Sequence, residues 1–217
     1  MGQLAHLQNF VTFDNCDVVA LAEHRPQLAR KVADQYRIPT VYENHRQICD
    51  DPDIDAVAEI TSDDLHAPVA IDLMNAGKHV FLEKPMATNI EDARAMVEAS
   101  QRNGVKLVIG YMKRYDPGVE LARKILDDFK ASGELGAITH VRAHCFGGDW
   151  ICNVGKHITT DESYPDVSRR PPTGMTEEQA KAFYWMNNVF CHDVNLIRHL
   201  AGDIHEVKYT ELNGPTQ

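Results

Sequence analysis

Through the first half of the chain, short apolar runs alternate with stretches in which apolar residues recur every three or four positions. Asp17 to Ala22 reads as a buried strand. Pro26 stands at a first helical turn and opens a helix through about Tyr36, with Leu28, Ala29, Val32 and Ala33 on one face. Thr40-Val41-Tyr42 is a short strand, followed by a helix to about Cys49. Asp55 to Ile60 is the next strand, and Asp63 or Asp64 caps a helix that carries Val69, Ala70, Leu73 and Met74 and stops at Gly77. The strand His79 to Leu82 follows at once. A helix from Ile90 to Arg102, ended by Asn103-Gly104, and a strand from Val105 to Ile109 complete the series. Strands alternating with helices at this spacing predict a doubly wound α/β sheet.

After Gly110 the rhythm changes, and a second domain is predicted from about Lys113. Pro117 starts a helix to about Ala131, which Gly133 and Gly136 break. Ile138 to Phe146 alternates like an antiparallel strand. Residues 147–175, rich in Gly, Pro, Asp and Arg, read as a long loop, a class that is usually functional or disordered. Two helices, about Glu177 to Met186 and Val189 to Leu200, precede a strand at Glu206 to Leu212.

Composition narrows the partners. Hydrophobic residues make up 43% of the 217, enough for a core, while 32 acidic against 22 basic residues give a net charge of −10. That charge repels nucleic acid and anionic membrane surfaces. The N-terminal residues lack the charged and apolar segments of a signal peptide, so a cytoplasmic location is expected. Five cysteines, widely spaced and without a CxxC pair, read as reduced thiols. His144, Cys145, Cys152, His157, Cys191 and His192 are metal-ligand types gathered in the second half, but their spacing fits no zinc pattern and no metal is expected.

Three segments carry the chemistry. Ala76-Gly77-Lys78-His79-Val80-Phe81-Leu82-Glu83-Lys84-Pro85 places Glu83 and Lys84 at the carboxyl end of a strand, where open α/β sheets bind ligands. Upstream stands Asp53-Ile54-Asp55-Ala56-Val57 with Thr61-Ser62-Asp63-Asp64-Leu65-His66, and downstream Gly110-Tyr111-Met112-Lys113-Arg114-Tyr115-Asp116-Pro117. In order and spacing they resemble the AGKHVxxEKP, DPDIDAVxxxTPxxxH and GYMxRxDP stretches of the glucose–fructose oxidoreductase / inositol dehydrogenase / MocA family. Asn188 to Gly202 resembles that family's DxxxHxxDLxRxLxG helix. The resemblance covers nearly the whole chain.

It implies an NAD(P)-dependent dehydrogenase of sugars or cyclic polyols. Residues 1–112 would be a Rossmann domain whose parallel sheet lacks its first strand, and residues 113–217 part of an α+β substrate and oligomerisation domain with an antiparallel sheet. The sequence is expected to be incomplete at both ends and to belong to a homo-oligomer when whole. Gly2 resembles the third glycine of a GxGxMG turn that runs into its helix. Glu23, twenty-one positions on at a strand end, matches the spacing of the carboxylate on the adenosine ribose hydroxyls. That carboxylate favours NAD, and Arg25 leaves NADP open. Thr61, Ser62, His66, Glu83 and Lys84 are implied cofactor contacts, with Ser62 standing where the family often has Pro.

Lys84 and His192 are the implied proton-handling pair. Pro85 suggests a cis peptide that directs Lys84. Arg114, Asn188 and Asn195 are implied to bind substrate. Taken one by one, Lys84 and Glu23 could be solvated strand-end charges and Arg114 the partner of Asp116. At 3.6 residues per turn, Asn188, His192, Asn195 and His199 share a polar stripe. Asn188 and Asn195 stand where the family has Asp, which opens an alternative: a non-catalytic nucleotide-binding member, or an inactive fragment.

Overall fold

The computed structural model describes residues 1–144, 157–163 and 174–209. They form two compact units, one of residues 1–109 with the segment 157–163, the other of residues 110–144 and 174–209.

The first unit opens in helix, a π-helical Gly2–His6 that continues as α1 (Leu7–Phe10). Then come β1 (Ala20–Ala22), α2 (Pro26–Tyr36), β2 (Thr40–Tyr42) and α3 (His45–Asp50). They are followed by β3 (Ala56–Glu59), α4 (His66–Asn75), β4 (His79–Leu82), α5 (Ile90–Asn103) and β5 (Leu107–Ile109). All strand pairs are parallel, with β1 on β2 in one sheet and β3-β4-β5 in another. The break between the sheets falls where a doubly wound order of 3-2-1-4-5-6 has its first strand. Thus β1 finds a ladder on one side only and is shorter than the predicted Asp17 to Ala22.

Local chemistry explains the helix limits. Pro26 starts α2, whose buried face is Leu28, Ala29, Val32 and Ala33. Asn89 caps α5 by accepting from the Asp92 amide at 2.8 Å, and Gly104, with φ of 65°, ends it. The predicted acidic cap of α4 is not used. Asp63 and Asp64 lie inside a 3₁₀ turn (Asp63–Leu65), and Leu65 is the residue that precedes α4.

Residues of α4 and α5 meet those of β4 in a core where Ala70, Leu73, Met74, Leu82, Met96 and Ala99 are all fully buried. Two rows cross the sheet in register, Val57-Val80-Leu107 and Glu59-Leu82-Ile109. Strand side chains alternate faces with period two, so Glu59 shares the core face with Leu82.

The second unit holds a 3₁₀ turn (Met112–Tyr115), α6 (Pro117–Ser132), α7 (Glu177–Trp185), a π-helical Met186–Phe190 and α8 (Cys191–Ala201). Asp116 caps α6 by accepting from the Gly118 amide at 2.8 Å, and Thr176 with Gln179 forms a capping box on α7. The two predicted helices are one continuous run, because a π turn bridges them where a break was expected. In the described parts of the two predicted antiparallel strands, residues 138–144 and 206–209, the backbone is irregular. Alternation sets which side chains share a face, but a strand also needs a neighbour for its backbone groups. The far ends of both predicted strands, most of the loop 147–175, and Cys145 and Cys152 lie outside the described residues. No helix among the described residues is long and apolar enough to cross a membrane.

Candidate functional site

The carboxyl ends of β3 and β4 are tied together by hydrogen bonds. The Glu83 amide donates to the Glu59 carbonyl at 3.1 Å, continuing the ladder one step past the strands. Glu83 Oε1 lies 2.6 Å from His6 Nε2, and Oε2 accepts from the Lys84 amide at 3.0 Å. Burial raises the pKa of Glu83, but the bonds from His6 and the Lys84 amide, with their charges, outweigh it and leave the carboxyl below its ordinary range. His6 in turn packs edge-on against Phe81, with ring centroids 5.4 Å apart. Glu83 therefore fastens the first helix to the end of β4 and presents Lys84 on the next residue. The Lys84–Pro85 peptide is cis.

His66 is 1% exposed. Its Nδ1 is 2.7 Å from the Pro85 carbonyl and its Nε2 3.3 Å from the Thr61 carbonyl. The ring thus holds the turn after β3 to the turn after β4. A neutral imidazole carries one N–H, and the shorter contact, to Pro85, is the one it makes as a hydrogen bond. Thr61 donates its hydroxyl to Glu59 Oε1 at 2.7 Å. Glu59 itself is 3% exposed, and burial pushes its carboxyl up to about 8 against the weaker opposing effect of the Thr61 hydroxyl. Its Oε2 has no hydrogen-bond partner among the described residues.

At the end of β1, Glu23 receives a bidentate guanidinium, with Arg25 Nε 2.8 Å from Oε1 and Nη2 2.8 Å from Oε2. The Arg25 amide adds a third bond at 3.1 Å. Burial acts to raise the pKa of Glu23, and the Arg25 bonds and charge overcome it, so the carboxylate is held below its ordinary value. Arg25 is neutralised where it stands.

These residues fit a dinucleotide. The first helix begins at Gly2, and first-turn amides carry the partial positive charge that attracts phosphate. A Cβ added at Gly2 would meet only Ile60 Cδ1 at 3.7 Å, an ordinary contact, so the glycine is not required by the protein's own packing. The Ser62 hydroxyl is buried and without a hydrogen-bond partner among the described residues.

In the second unit, Arg114 joins the 3₁₀ turn to α8. Its Nε donates to Asn195 Oδ1 at 2.6 Å, and its Nη1 lies 3.4 Å from His199 Nδ1. Asn195 and His199 are thus on the face of α8 that meets Arg114, while Arg123 also donates to the His199 carbonyl. Burial first, then the Arg114 and Arg123 charges, depress the pKa of His199. His192 meets the ring of Tyr111 edge-on, with centroids 6.3 Å apart at 88°. Asn188 sits in the π turn, where its carbonyl accepts from the Cys191 thiol at 3.5 Å. A shallow cleft of about 240 Å³ beside Tyr111, Asn187, Cys191 and Asn195 opens on this face.

The first unit therefore brings Thr61, His66, Glu83 and Lys84 together, with Gly2 and Glu23 at the starts of the two neighbouring helices. The second unit brings Arg114 and Asn195 together and places His192 against Tyr111. Sequence reasoning missed His6, Glu59 and Tyr111 as neighbours of these residues. Only Glu59 left a signal, a lone acid inside an apolar strand.

The sequence profile of the oxidoreductase family with an NAD-binding Rossmann fold matches residues 1–111. The chain is similar to an inositol 2-dehydrogenase of Salmonella typhimurium, 36% identical over 134 residues, which are 60% of this chain and 39% of that protein. It is also similar to a levoglucosan dehydrogenase of Pseudarthrobacter phenanthrenivorans, 29% identical over 86% of this chain and 43% of that protein. The crystal structure of an oxidoreductase domain protein from Kribbella flavida matches 93% of this chain and 52% of its own, at a TM-score of 0.70 and 27% identity. The chain spans less than half the length of these two dehydrogenases. With the family profile covering half the chain, and its parallel sheet and strand-end Glu83-Lys84-Pro85 in place, the chain belongs to the glucose–fructose oxidoreductase / inositol dehydrogenase / MocA family of oxidoreductases.

Proposed function

We propose that the protein carrying this chain is an NAD-dependent dehydrogenase acting on a sugar or inositol-type polyol. The observation that carries the reading is the cluster at the ends of β3 and β4, where Glu83, fastened to His6, presents Lys84 at the ligand-binding edge of the sheet. The names of the relatives, inositol 2-dehydrogenase and levoglucosan dehydrogenase, support the substrate class. Residues 1–112 form the nucleotide-binding part and residues 113–217 part of a substrate and oligomerisation domain, in a cytoplasmic homo-oligomer.

A bound nicotinamide dinucleotide would supply the ring carbon that takes hydride from the alcohol carbon. The chain's own residues do the remaining work. The Gly2 amide would face the pyrophosphate, Glu23 would accept from the ribose hydroxyls, and Thr61 and Ser62 would add donors from the turn after β3. Lys84 binds the substrate hydroxyl or the nicotinamide ribose. His192 takes the hydroxyl proton, and Arg114, Asn188 and Asn195 hold neighbouring hydroxyls.

Reduction of NAD, followed by NADH absorbance with a panel of inositols and aldoses, tests the reading. Turnover with at least one of them is the expected result. A second reading, a nucleotide-binding member without catalysis, is favoured by Asn188 and Asn195, which put amides where a carboxylate would support His192. Cofactor binding without turnover across the panel selects it.

The Glu23–Arg25 pair predicts cofactor choice. Because Arg25 is already held by Glu23, a 2′-phosphate would meet a carboxylate and no unengaged guanidinium. NADH should bind at least about tenfold more tightly than NADPH, a difference of about 1.4 kcal/mol. Fluorescence titration measures it, and tighter NADPH binding would assign the pocket to Arg25.

A further inference from the structure

The segment 157–163 belongs to the first unit, although residues 110–144 before it and 174–209 after it belong to the second. It is anchored at two places. At the start of the first helix, the Gln3 side-chain amide donates to the Ile158 carbonyl at 3.1 Å, and the Ile158 amide donates back to Gln3 Oε1 at 2.8 Å. At the start of α2, Glu162 Oε1 accepts from the Gln27 amide at 3.0 Å and Oε2 from the Leu28 amide at 2.9 Å. The Thr160 hydroxyl donates to Glu162 Oε2 at 3.0 Å and holds that carboxylate in place. Ile158 and Glu162 are four positions apart, so their backbones lie within about 14 Å of each other.

Those anchors coincide with the two ends of the adenosine half of the dinucleotide site. Gln3 follows Gly2, the residue assigned to the pyrophosphate. Gln27 and Leu28 follow Glu23 and Arg25, the pair assigned to the ribose. The first amides of an eleven-residue helix would be the natural donors to a phosphate on that ribose. Here an internal carboxylate has already taken two of them. Burial opposes the charge of Glu162, but the two amides, the Thr160 hydroxyl and Arg25 together hold its pKa below the ordinary carboxylate range. Glu162 is thus a built-in anion at the start of α2, and the charge of Arg25 acts on it as it does on Glu23.

We propose that Glu162 is a second specificity-determining residue for the cofactor, closing the start of α2 against the 2′-phosphate of NADP while leaving the ribose hydroxyls of NAD to Glu23. The proposal rests on the dinucleotide reading above and assigns to it a residue from the far half of the sequence. A 2′-phosphorylated ribose would have to displace the Glu162 carboxylate from the Gln27 and Leu28 amides or sit between two carboxylates. An unphosphorylated ribose meets neither obstacle.

NADH and NADPH titrations of the wild-type protein, Glu162→Ala and Glu162→Gln test it, with Tm confirming that each variant is folded. The expected result is a rise of roughly tenfold or more in NADPH affinity for Glu162→Ala, with NADH affinity changed much less. Glu162→Gln keeps the size and an oxygen acceptor but loses the charge, and should show the same shift in reduced degree. An unchanged ratio of the two affinities in both variants overturns the role of Glu162 and leaves the NAD reading standing. Equal gains for NADH and NADPH also overturn it, making the segment a general obstruction rather than a discriminator. Failure of the wild-type protein to bind either dinucleotide overturns both readings.

Discussion

Lys84→Ala should lower kcat by about 10²- to 10⁴-fold, and His192→Ala by a similar factor, the range expected when general acid–base help is removed. For Lys84 the expectation follows from its place. It is the first residue beyond Glu83, whose carboxylate is bonded both to His6 and to the Lys84 amide, so the backbone that presents the ammonium is held on two sides. Lys84→Arg would keep the charge but spread it over a planar fork, and should recover little of the loss if a compact donor is needed. His192 belongs to the second unit and the residues assigned to the nucleotide belong to the first, so NADH affinity should be nearly unchanged in His192→Ala. Lys84→Ala should weaken NADH binding as well if the lysine touches the nicotinamide ribose. Steady-state kinetics with the best polyol of the panel, paired with NADH titration, separates these effects. Full activity in His192→Ala would remove it from the mechanism and leave Lys84 as the only assigned proton carrier.

How much of this was legible beforehand depended on the range of the interactions. The core face of α2, Leu28, Ala29, Val32 and Ala33, follows from periodicity and is buried as read. The end of α5 at Gly104 follows from turn chemistry. Both signals live within a few residues of chain. The acidic cap of α4 was misplaced because Asp63 and Asp64 close a 3₁₀ turn first. The break between the last two helices was misplaced because a π turn absorbs the change in register without interrupting the helix. Long-range hydrogen bonds left no local mark at all. The ring of His66, given a cofactor role by resemblance, lies 2.7 Å from the Pro85 carbonyl nineteen positions away, a pairing without a local sequence signal. Glu162 reaches the start of α2 across 134 positions, a pairing that no periodicity or spacing encodes. Glu59 stands as a lone acid in an apolar strand, and the register that sets it in a row with Leu82 and Ile109 accounts for its burial.

That burial predicts a pH dependence of stability. Glu59 holds its proton in the folded chain up to about 8, whereas in the unfolded chain it ionises near its ordinary 4.5. Between those limits the folded state binds one proton more than the unfolded state, so unfolding free energy falls as pH rises, by about 1.4 kcal/mol per pH unit. The contribution is fully present below 4.5 and is lost as pH climbs through about 8. From pH 5.5 to 7.5 the loss attributable to this one carboxyl is about 2 to 3 kcal/mol. Depressed carboxylates such as Glu23, Glu83 and Glu162 work in the opposite sense, their stabilisation being lost as pH falls below the ordinary carboxylate range, outside this window. His199, with its pKa lowered, adds stability as pH rises through its unfolded value and partly offsets Glu59. A comparison with Glu59→Gln at each pH cancels these other groups. In that variant the slope between pH 5.5 and 7.5 should flatten by about 1.4 kcal/mol per unit. Glu59→Leu, which continues the apolar row of Leu82 and Ile109, should exceed the wild type in stability at pH 7.5 and gain less, or nothing, at pH 5.5. Urea unfolding followed by circular dichroism gives both curves. Parallel pH profiles for wild type and Glu59→Gln would mean that Glu59 is ionised in the folded state and reaches solvent or a cation that compensates its burial.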